Sequence, residues 1–191
     1  MKNATDTKTA ILDAAQDLLQ RQSISGVSFQ ELANRIGIKK GSMYYHFKSK
    51  DDLSVAILTR ASEELKLSFA RGHNKTPTQQ LKYFFNIYRD FIGIGERMCP
   101  GGVFAGEWGK VSEPVKSQAN KLIRIQIQGV KGIIEAGIKS GEFESHDLNL
   151  DDLTLWLVSC LQGSLLTSRI MGSNKSFNSS IKIAQKFLYK V

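Results

Sequence analysis

Four cations, Lys39, Lys40, Lys48 and Lys50, fall within a stretch from 39 to 50 that holds no acid, interleaved with Ser42, Tyr44, Tyr45 and His46. Ammonium groups beside hydroxyl and imidazole groups suit a row of phosphate oxygens, since each cation that neutralises a phosphate releases condensed counterions. On charge alone a solvated helix face competes with that reading, although such a face usually mixes acids among its bases. Gly41 and Ser42 are small, which lets the backbone come close to a duplex while Lys40 and Ser42 reach base edges. Tyr44 and Tyr45 offer hydroxyls to phosphate. His46 is either a plain structural histidine or a phosphate-side contact, and its place beside the two tyrosines favours the second. Met43 and Phe47, four apart, fall on the core-facing side of the same helix.

Positioning these groups requires short helices in a fixed order. From Asp6 to Gln20 the apolar residues Ile11, Ala15, Leu18 and Leu19 recur at helical spacing. Ser28-Phe29-Gln30-Glu31 then fits a capping box, and the Ser28 hydroxyl with the first N–H groups of that helix can also hold a phosphate. Gly37 stands where a helix end wants a residue tolerant of positive φ. A helix from Lys40 to Phe47 follows, and Ser49-Lys50-Asp51-Asp52 opens a long one towards Ala70. Three helices, the last two joined by a tight turn, match the helix-turn-helix arrangement, whose final helix lies in the DNA major groove.

The polar residues 71–76 read as a connection, after which Thr76-Pro77-Thr78-Gln79 forms another capping box with proline at the first helical position. Tyr83, Phe84, Phe85, Tyr88 and Phe91 crowd the helix that follows. Pro100-Gly101-Gly102 breaks the chain ahead of a short apolar helix, Val103 to Trp108. The remaining helices are expected from Pro114 to near Gly141, from Leu150 to Met171, and from about Ser176 to Tyr189. The class is all-α.

The chain has 191 residues with 26 Lys plus Arg against 18 Asp plus Glu, a net +8, and 41% hydrophobic and 23% charged residues. That length and balance support a real core and exclude a large multi-domain enzyme and a disordered chain, while three prolines against 16 glycines and no run of Val, Ile or Thr alternating with polar residues leave little room for an all-β fold. Residues 1–60 carry only +3 of the excess. Lys116, Lys121, Arg124 and Lys131, with no acid between Glu113 and Glu135, hold part of the rest, as a solvated helix face or as a site for an anionic ligand. Cys99 and Cys160 are too few for a disulfide scaffold and lack zinc spacing, so no metal is expected and a reducing cytoplasm fits best. No signal peptide is expected at the N-terminus, and the uncharged run between Asp152 and Arg169 is short of a bilayer span. Gly93-Ile94-Gly95 lacks both the third glycine and the preceding strand of a dinucleotide fingerprint. No P-loop, zincin or nucleophile-elbow motif occurs, so neither an enzyme nor a cofactor is expected.

The run from Ser28 to Ala33, followed by that from Gly37 to Leu53, closely resembles the DNA-binding signature of TetR-type (TetR/AcrR) transcriptional regulators. The resemblance implies a helix-turn-helix unit at 1–50, a connecting helix at 50–70, and a helical bundle at 71–191 for effector binding and dimerisation. It implies that Gln30, Lys40, Gly41, Ser42 and Tyr45 face bases and that Ser28, Tyr44, His46 and Lys50 hold phosphates. Lys39 departs from the pattern, standing where many members carry a capping Ser or Thr, and is assigned a phosphate contact or an altered operator preference. The implied function is a cytoplasmic homodimeric repressor, released from a pseudo-palindromic double-stranded operator by a largely apolar small molecule.

Phe84, Phe85, Tyr88, Cys99, Phe104 and Trp108 are the expected lining of the effector pocket, although a packed core uses the same residue types. Cys99, after Arg97 and Met98, is either an ordinary cysteine or the centre of a redox or electrophile switch on the same DNA-binding head. Cys160 reads as a small core residue. The 150–171 helix is apolar nearly all round and needs two covered faces. Trp156, Leu157, Leu161 and Leu165, with Ile181 and Phe187 of the last helix, are the expected contacts to a second copy, burial inside one larger bundle being the other solution.

Overall fold

The computed structural model of the chain describes residues 4–93 and 97–190, without the side chains of 4, 5 and 90–92. The Phe91 side chain and the Ile94-Gly95 stretch weighed above lie outside the described residues. In order come α1 (Ala4–Gln22), α2 (Phe29–Ile36), α3 (Lys40–His46), α4 (Lys50–Arg71), α5 (Pro77–Ile92), a 3-10 segment (Gly102–Lys110), α6 (Glu113–Ser140), α7 (Leu150–Ile170) and α8 (Lys175–Leu188). Among the described residues extended pairing is limited to one isolated bridge between Phe143 and Tyr189. No helix among them is long and apolar enough to cross a membrane.

The chain divides into two compact units, Met1–Ser62 with Pro100–Leu122, and Glu63–Cys99 with Ile123–Val191. In the first, α1 packs on α2 and α2 on α3. The apolar stripe Ile11, Ala15, Leu18 and Leu19 is buried, as are Phe29, Leu32 and Ala33 of α2 and Met43 of α3. Ion pairs fasten the same helices from outside: Asp17 of α1 meets Arg35 of α2 at 2.6 Å, and Arg60 of α4 reaches Asp13 at 2.6 Å. Such partly exposed pairs contribute at most ~1 kcal/mol each, so burial of the stripe does most of the stabilising.

Pro100–Leu122 joins this unit, although the polar connection at 71–76 suggests an earlier boundary. Its hold on the α1–α2 turn is visible: the Ser25 N–H donates to Glu107 Oε1 at 3.3 Å, and the Ser25 hydroxyl donates to Oε2. Hydrogen bonds from Ser23 and Ser25 hold the Glu107 carboxyl below its ordinary range. The expected short helix is therefore a 3-10 segment interrupted at Glu107 (φ −120°, ψ 22°), in a stretch where Gly106 and Gly109 weaken α-helical propensity.

The second unit has a continuous core from α5 (Leu81, Phe84, Phe85), α6 (Val130, Ile133, Ile134), α7 (Leu153, Leu157, Leu161, Leu165) and α8 (Phe177, Ile181, Ala184, Leu188). Phe143, in the loop after α6, is 1% exposed, and a Cβ at Gly137 would fall inside its ring. Glycine at 137 is thus a condition of that packing. Cys160, expected in the core, is only half-buried because its side of α7 turns away from the Leu157–Leu161–Leu165 stripe.

Candidate functional site

The reading unit starts from its caps. Ser28 precedes α2 in an extended conformation, and its Oγ accepts from the Glu31 N–H at 3.1 Å. As an acceptor there it keeps its own O–H free to donate outward. Gly37 ends α2 in the left-handed region (φ 72°, ψ 36°), which is what allows the tight turn into α3. Lys39 caps α3 with no side-chain hydrogen bond, the structural counterpart of the missing Ser or Thr. Its ammonium is left for other partners.

On α3, Met43 and Phe47 are buried and every other residue from Lys39 to Lys50 is exposed apart from the half-buried His46. Tyr45 is 82% exposed, a large aromatic group held in solvent. Tyr44 rests edge-on against Phe29 of α2, ring centroids 5.2 Å apart, which limits where its hydroxyl can point. Tyr45 and His46 meet edge to face at 5.1 Å. Gln30 and Gly41 are exposed, and the Gln30 amide is oriented by donating to Asn34 Oδ1 at 2.9 Å. Among the described residues no ion pair holds Lys39, Lys40, Lys48 or Lys50. The structure therefore brings Ser28, Gln30, Lys39, Lys40, Gly41, Ser42, Tyr44, Tyr45, His46 and Lys50 onto α2, α3 and their flanks with cations that no acid neutralises.

The residues assigned to a ligand pocket do not stay together. Phe84, Phe85, Tyr88 and Cys99 lie in the core of the second unit, each at most 6% exposed. Phe104 and Trp108 belong to the first unit, Phe104 fully buried and Trp108 40% exposed. Around Tyr88 the structure adds two polar residues that sequence reading missed. Gln162 Nε2 of α7 donates to the Tyr88 hydroxyl at 3.3 Å and to Gln126 Oε1 of α6 at 3.4 Å. Burial first, then the neighbouring Cys99, pushes the Tyr88 hydroxyl well above its ordinary value, so it stays protonated. One signal for Gln126 was present: it lies four residues after Leu122 and four before Val130, both buried, on the inward face of α6.

The residues assigned to contact a second copy also divide. Leu157, Leu161, Leu165 and Ile181 pack in the unit's own core at 3% exposure or less. Trp156 and the half-buried Phe187 lie at the surface, 5.1 Å apart, and with Leu148, Asp152 and Leu153 they line a depression of about 300 Å³. Leu155, Leu166, Ile170 and Ile183 are exposed as well. His146 stacks on Phe187 at 4.0 Å and its Nε2–H donates to the Phe187 carbonyl at 2.6 Å. Two cations of the acid-free stretch in α6 are paired, Lys116 with Glu113 at 2.7 Å and Lys131 with Asp151 at 2.5 Å, which fits a solvated face.

A three-helix unit with a bare cationic third helix, followed by an all-helical body, is the architecture of a DNA-binding transcriptional regulator. Residues 11–57 match the family model described as bacterial regulatory proteins, tetR family. The HTH-type transcriptional repressor BepR of Brucella suis is 24% identical over 75% of this chain and 71% of its own length. The regulator AcrR of Shigella flexneri is 40% identical over 27% of this chain and 24% of its own. A TetR-family regulator from Agrobacterium tumefaciens superimposes with a TM-score of 0.89 at 19% identity, covering 97% of this chain and 100% of that one, a likeness of fold. Residues 11–57 thus carry the DNA-binding domain of the TetR-type family of bacterial regulatory proteins, and the chain as a whole shares the fold of a solved member.

Proposed function

We propose that the chain is a homodimeric, ligand-released repressor that lays α3 of each subunit into successive major grooves of a pseudo-palindromic operator. The observation that carries this is the α3 surface, where Tyr45 is held in solvent and four lysines stand without acids. Gln30, Lys40, Gly41, Ser42 and Tyr45 read bases, while Ser28, Lys39, Tyr44, His46 and Lys50 anchor phosphates. Functionally, residues 1–50 read DNA, 50–70 connect, and 71–191 bind the effector and the second copy. The similar protein BepR is named a transcriptional repressor, which supports repression here.

A second copy covers exposed apolar groups of α7 and α8: Trp156, already assigned to that task, together with Leu155, Leu166, Ile170 and Ile183. The effector enters the aromatic core at Phe84, Phe85 and Tyr88. It must prefer the conformation that releases DNA, because a ligand of equal affinity for both states shifts nothing. The shift passes along α4 towards the reading unit.

The Cys99 switch is the weaker reading: the thiol is 6% exposed, so an oxidant or electrophile has to enter the core to reach it. Cys99→Ser separates the two, leaving release by an apolar ligand intact and abolishing release by an electrophile.

Selection of bound sequences from a random DNA pool, then titration of the selected site over salt, tests the whole proposal. A two-fold symmetric site is expected, with affinity falling steeply as salt rises and with Lys50→Ala reducing the log–log slope by about one. A folded protein that binds no DNA at low salt would falsify it.

A further inference from the structure

Most of the chain's excess positive charge lies outside the reading unit, and the end of the chain carries much of it. From Leu153 to Val191 stand Arg169, Lys175, Lys182, Lys186 and Lys190, with no Asp or Glu. Lys182 and Lys186, four apart, share one side of α8, and Lys190 follows just past its end. With Lys82 of α5 these three line an open depression of about 380 Å³, whose remaining lining is Gln185 and Tyr189. All four lysines are exposed. The backing is held in place, since the Tyr189 ring stacks on Phe143 at 5.4 Å and the Lys190 N–H donates to the Glu142 carbonyl at 3.0 Å.

Among the described residues no ion pair holds Lys82, Lys182, Lys186 or Lys190. The carboxylate whose charge reaches Tyr189 is that of Glu142, and its oxygens accept from the Thr78 N–H at 3.0 Å and the Ser140 hydroxyl at 3.2 Å. A helix C-terminus favours cations, which accounts for Lys186 and Lys190. Lys82 lies in the second turn of α5, where the helix dipole gives no such reason. Lys182 and Lys186 moreover form a like-charge pair at a spacing that destabilises a helix. The gathering of four cations around one depression therefore has no account within the fold.

We infer that this depression binds a small polyphosphate, a short chain of phosphate groups bearing roughly three or four negative charges. The site needs neither the operator nor the effector of the proposed function. Residue type selects the chemistry: four lysines and no arginine supply point charges, which suit the oxygens of phosphate, whereas a planar carboxylate is held best by the forked guanidinium of arginine. Lysine is also depleted where proteins meet, which argues against an acidic protein partner. Size selects a small ligand, because the volume is that of a small-molecule site. The cations stand on two elements around the depression, while a nucleic-acid strand asks for a groove that tracks its backbone.

Calorimetry on the full chain without DNA, at about 150 mM salt, tests the site with inorganic triphosphate, ATP and orthophosphate as probes. Triphosphate is expected to bind and to raise Tm by a few degrees, and orthophosphate to bind at least about tenfold more weakly at equal ionic strength. Lys82→Ser combined with Lys186→Ser should weaken triphosphate roughly tenfold, each exposed cation supplying a factor of a few. Lys116→Ser with Lys121→Ser removes the same charge elsewhere and should leave triphosphate within a factor of about two. ATP binding more tightly than triphosphate names a nucleotide as the source and parity names the phosphate chain alone; both keep the site. No binding of triphosphate, orthophosphate binding as tightly, or equal losses in the two double variants overturns the proposal. Loss of duplex DNA or phosphatidylserine-vesicle binding in the Lys82 and Lys186 variant, with triphosphate binding unchanged, overturns it too. If that variant fails to fold, the lysine ε-methylene NMR signals of the wild type decide: triphosphate moving those of Lys82 and Lys186 supports the site, and any other pattern rejects it.

Discussion

The reading surface on α3 and the polar cluster at Tyr88 are built in opposite ways. The first uses a contiguous run, Lys39 to Lys50, in which Met43 and Phe47 are buried as anchors and the remaining side chains, apart from the half-buried His46, are exposed. The second gathers Tyr88, Cys99, Gln126 and Gln162 from α5, the segment after it, α6 and α7. A surface that meets a rigid, repeating partner needs only local geometry, so one short helix and its caps suffice. A site that must enclose a ligand needs atoms on several sides, and those come from distant parts of the chain.

That contrast can be broken by charge reversal on the surface. Lys40→Glu replaces the cation proposed to face bases with a group that repels phosphate, and operator affinity should fall at least about a hundredfold. Because Lys40 is exposed and unpaired, thermal unfolding should change little, and a large loss of Tm would show that α3 is not the free-standing surface described. A smaller effect of the opposite kind is expected from Gly137→Ala, whose Cβ meets the buried Phe143 ring. Overpacking should cost roughly 1–3 kcal/mol, offset in part by ~1 kcal/mol of helix propensity, and calorimetry should show a lowered Tm. Affinity for DNA at a temperature where the variant is folded should stay within a factor of a few.

The smallest effect sharpens the core side. Tyr88 holds its proton well above its ordinary value of 10.0 in the folded chain. Below about pH 10 both states are protonated and stability is unaffected by this group; above it the unfolded tyrosine ionises first, so stability declines as pH rises towards the raised folded value. Tyr88→Phe should lose about 1 kcal/mol near neutral pH, from the hydroxyl's hydrogen bonds, and flatten the alkaline decline. Part of that decline should remain with Tyr189, whose hydroxyl is also raised by burial. Chemical denaturation at pH 8 and pH 11 measures both, and an unchanged alkaline limb would place the Tyr88 hydroxyl in water.

Much of the fold was legible because its signals are local. The caps at Ser28 and Thr76 and the left-handed Gly37 are visible as residue types at fixed offsets, and the structure forms them where expected. The second half was legible as helices but not as a division of labour. Leu157, Leu161 and Leu165 have the same composition as an interface, and only packing shows that α8 and the rest of the core already cover them. Trp156 and Phe187, assigned alongside them, face outward. Phe104 and Trp108 looked like neighbours of the aromatic helix, yet Pro100–Leu122 packs with the first unit, held partly by Glu107 on Ser25.

By itself, then, the sequence determined the helices, the turn at Gly37 and the identity of the α3 surface, since each follows from backbone preferences and charges within a few residues. Tertiary structure decided which apolar groups are spent inside the chain, where the 100–122 segment belongs, and that Gln126 comes to lie beside Tyr88. Those outcomes depend on which faces of distant helices meet, and residue types at sequence spacing do not encode that meeting one pair at a time.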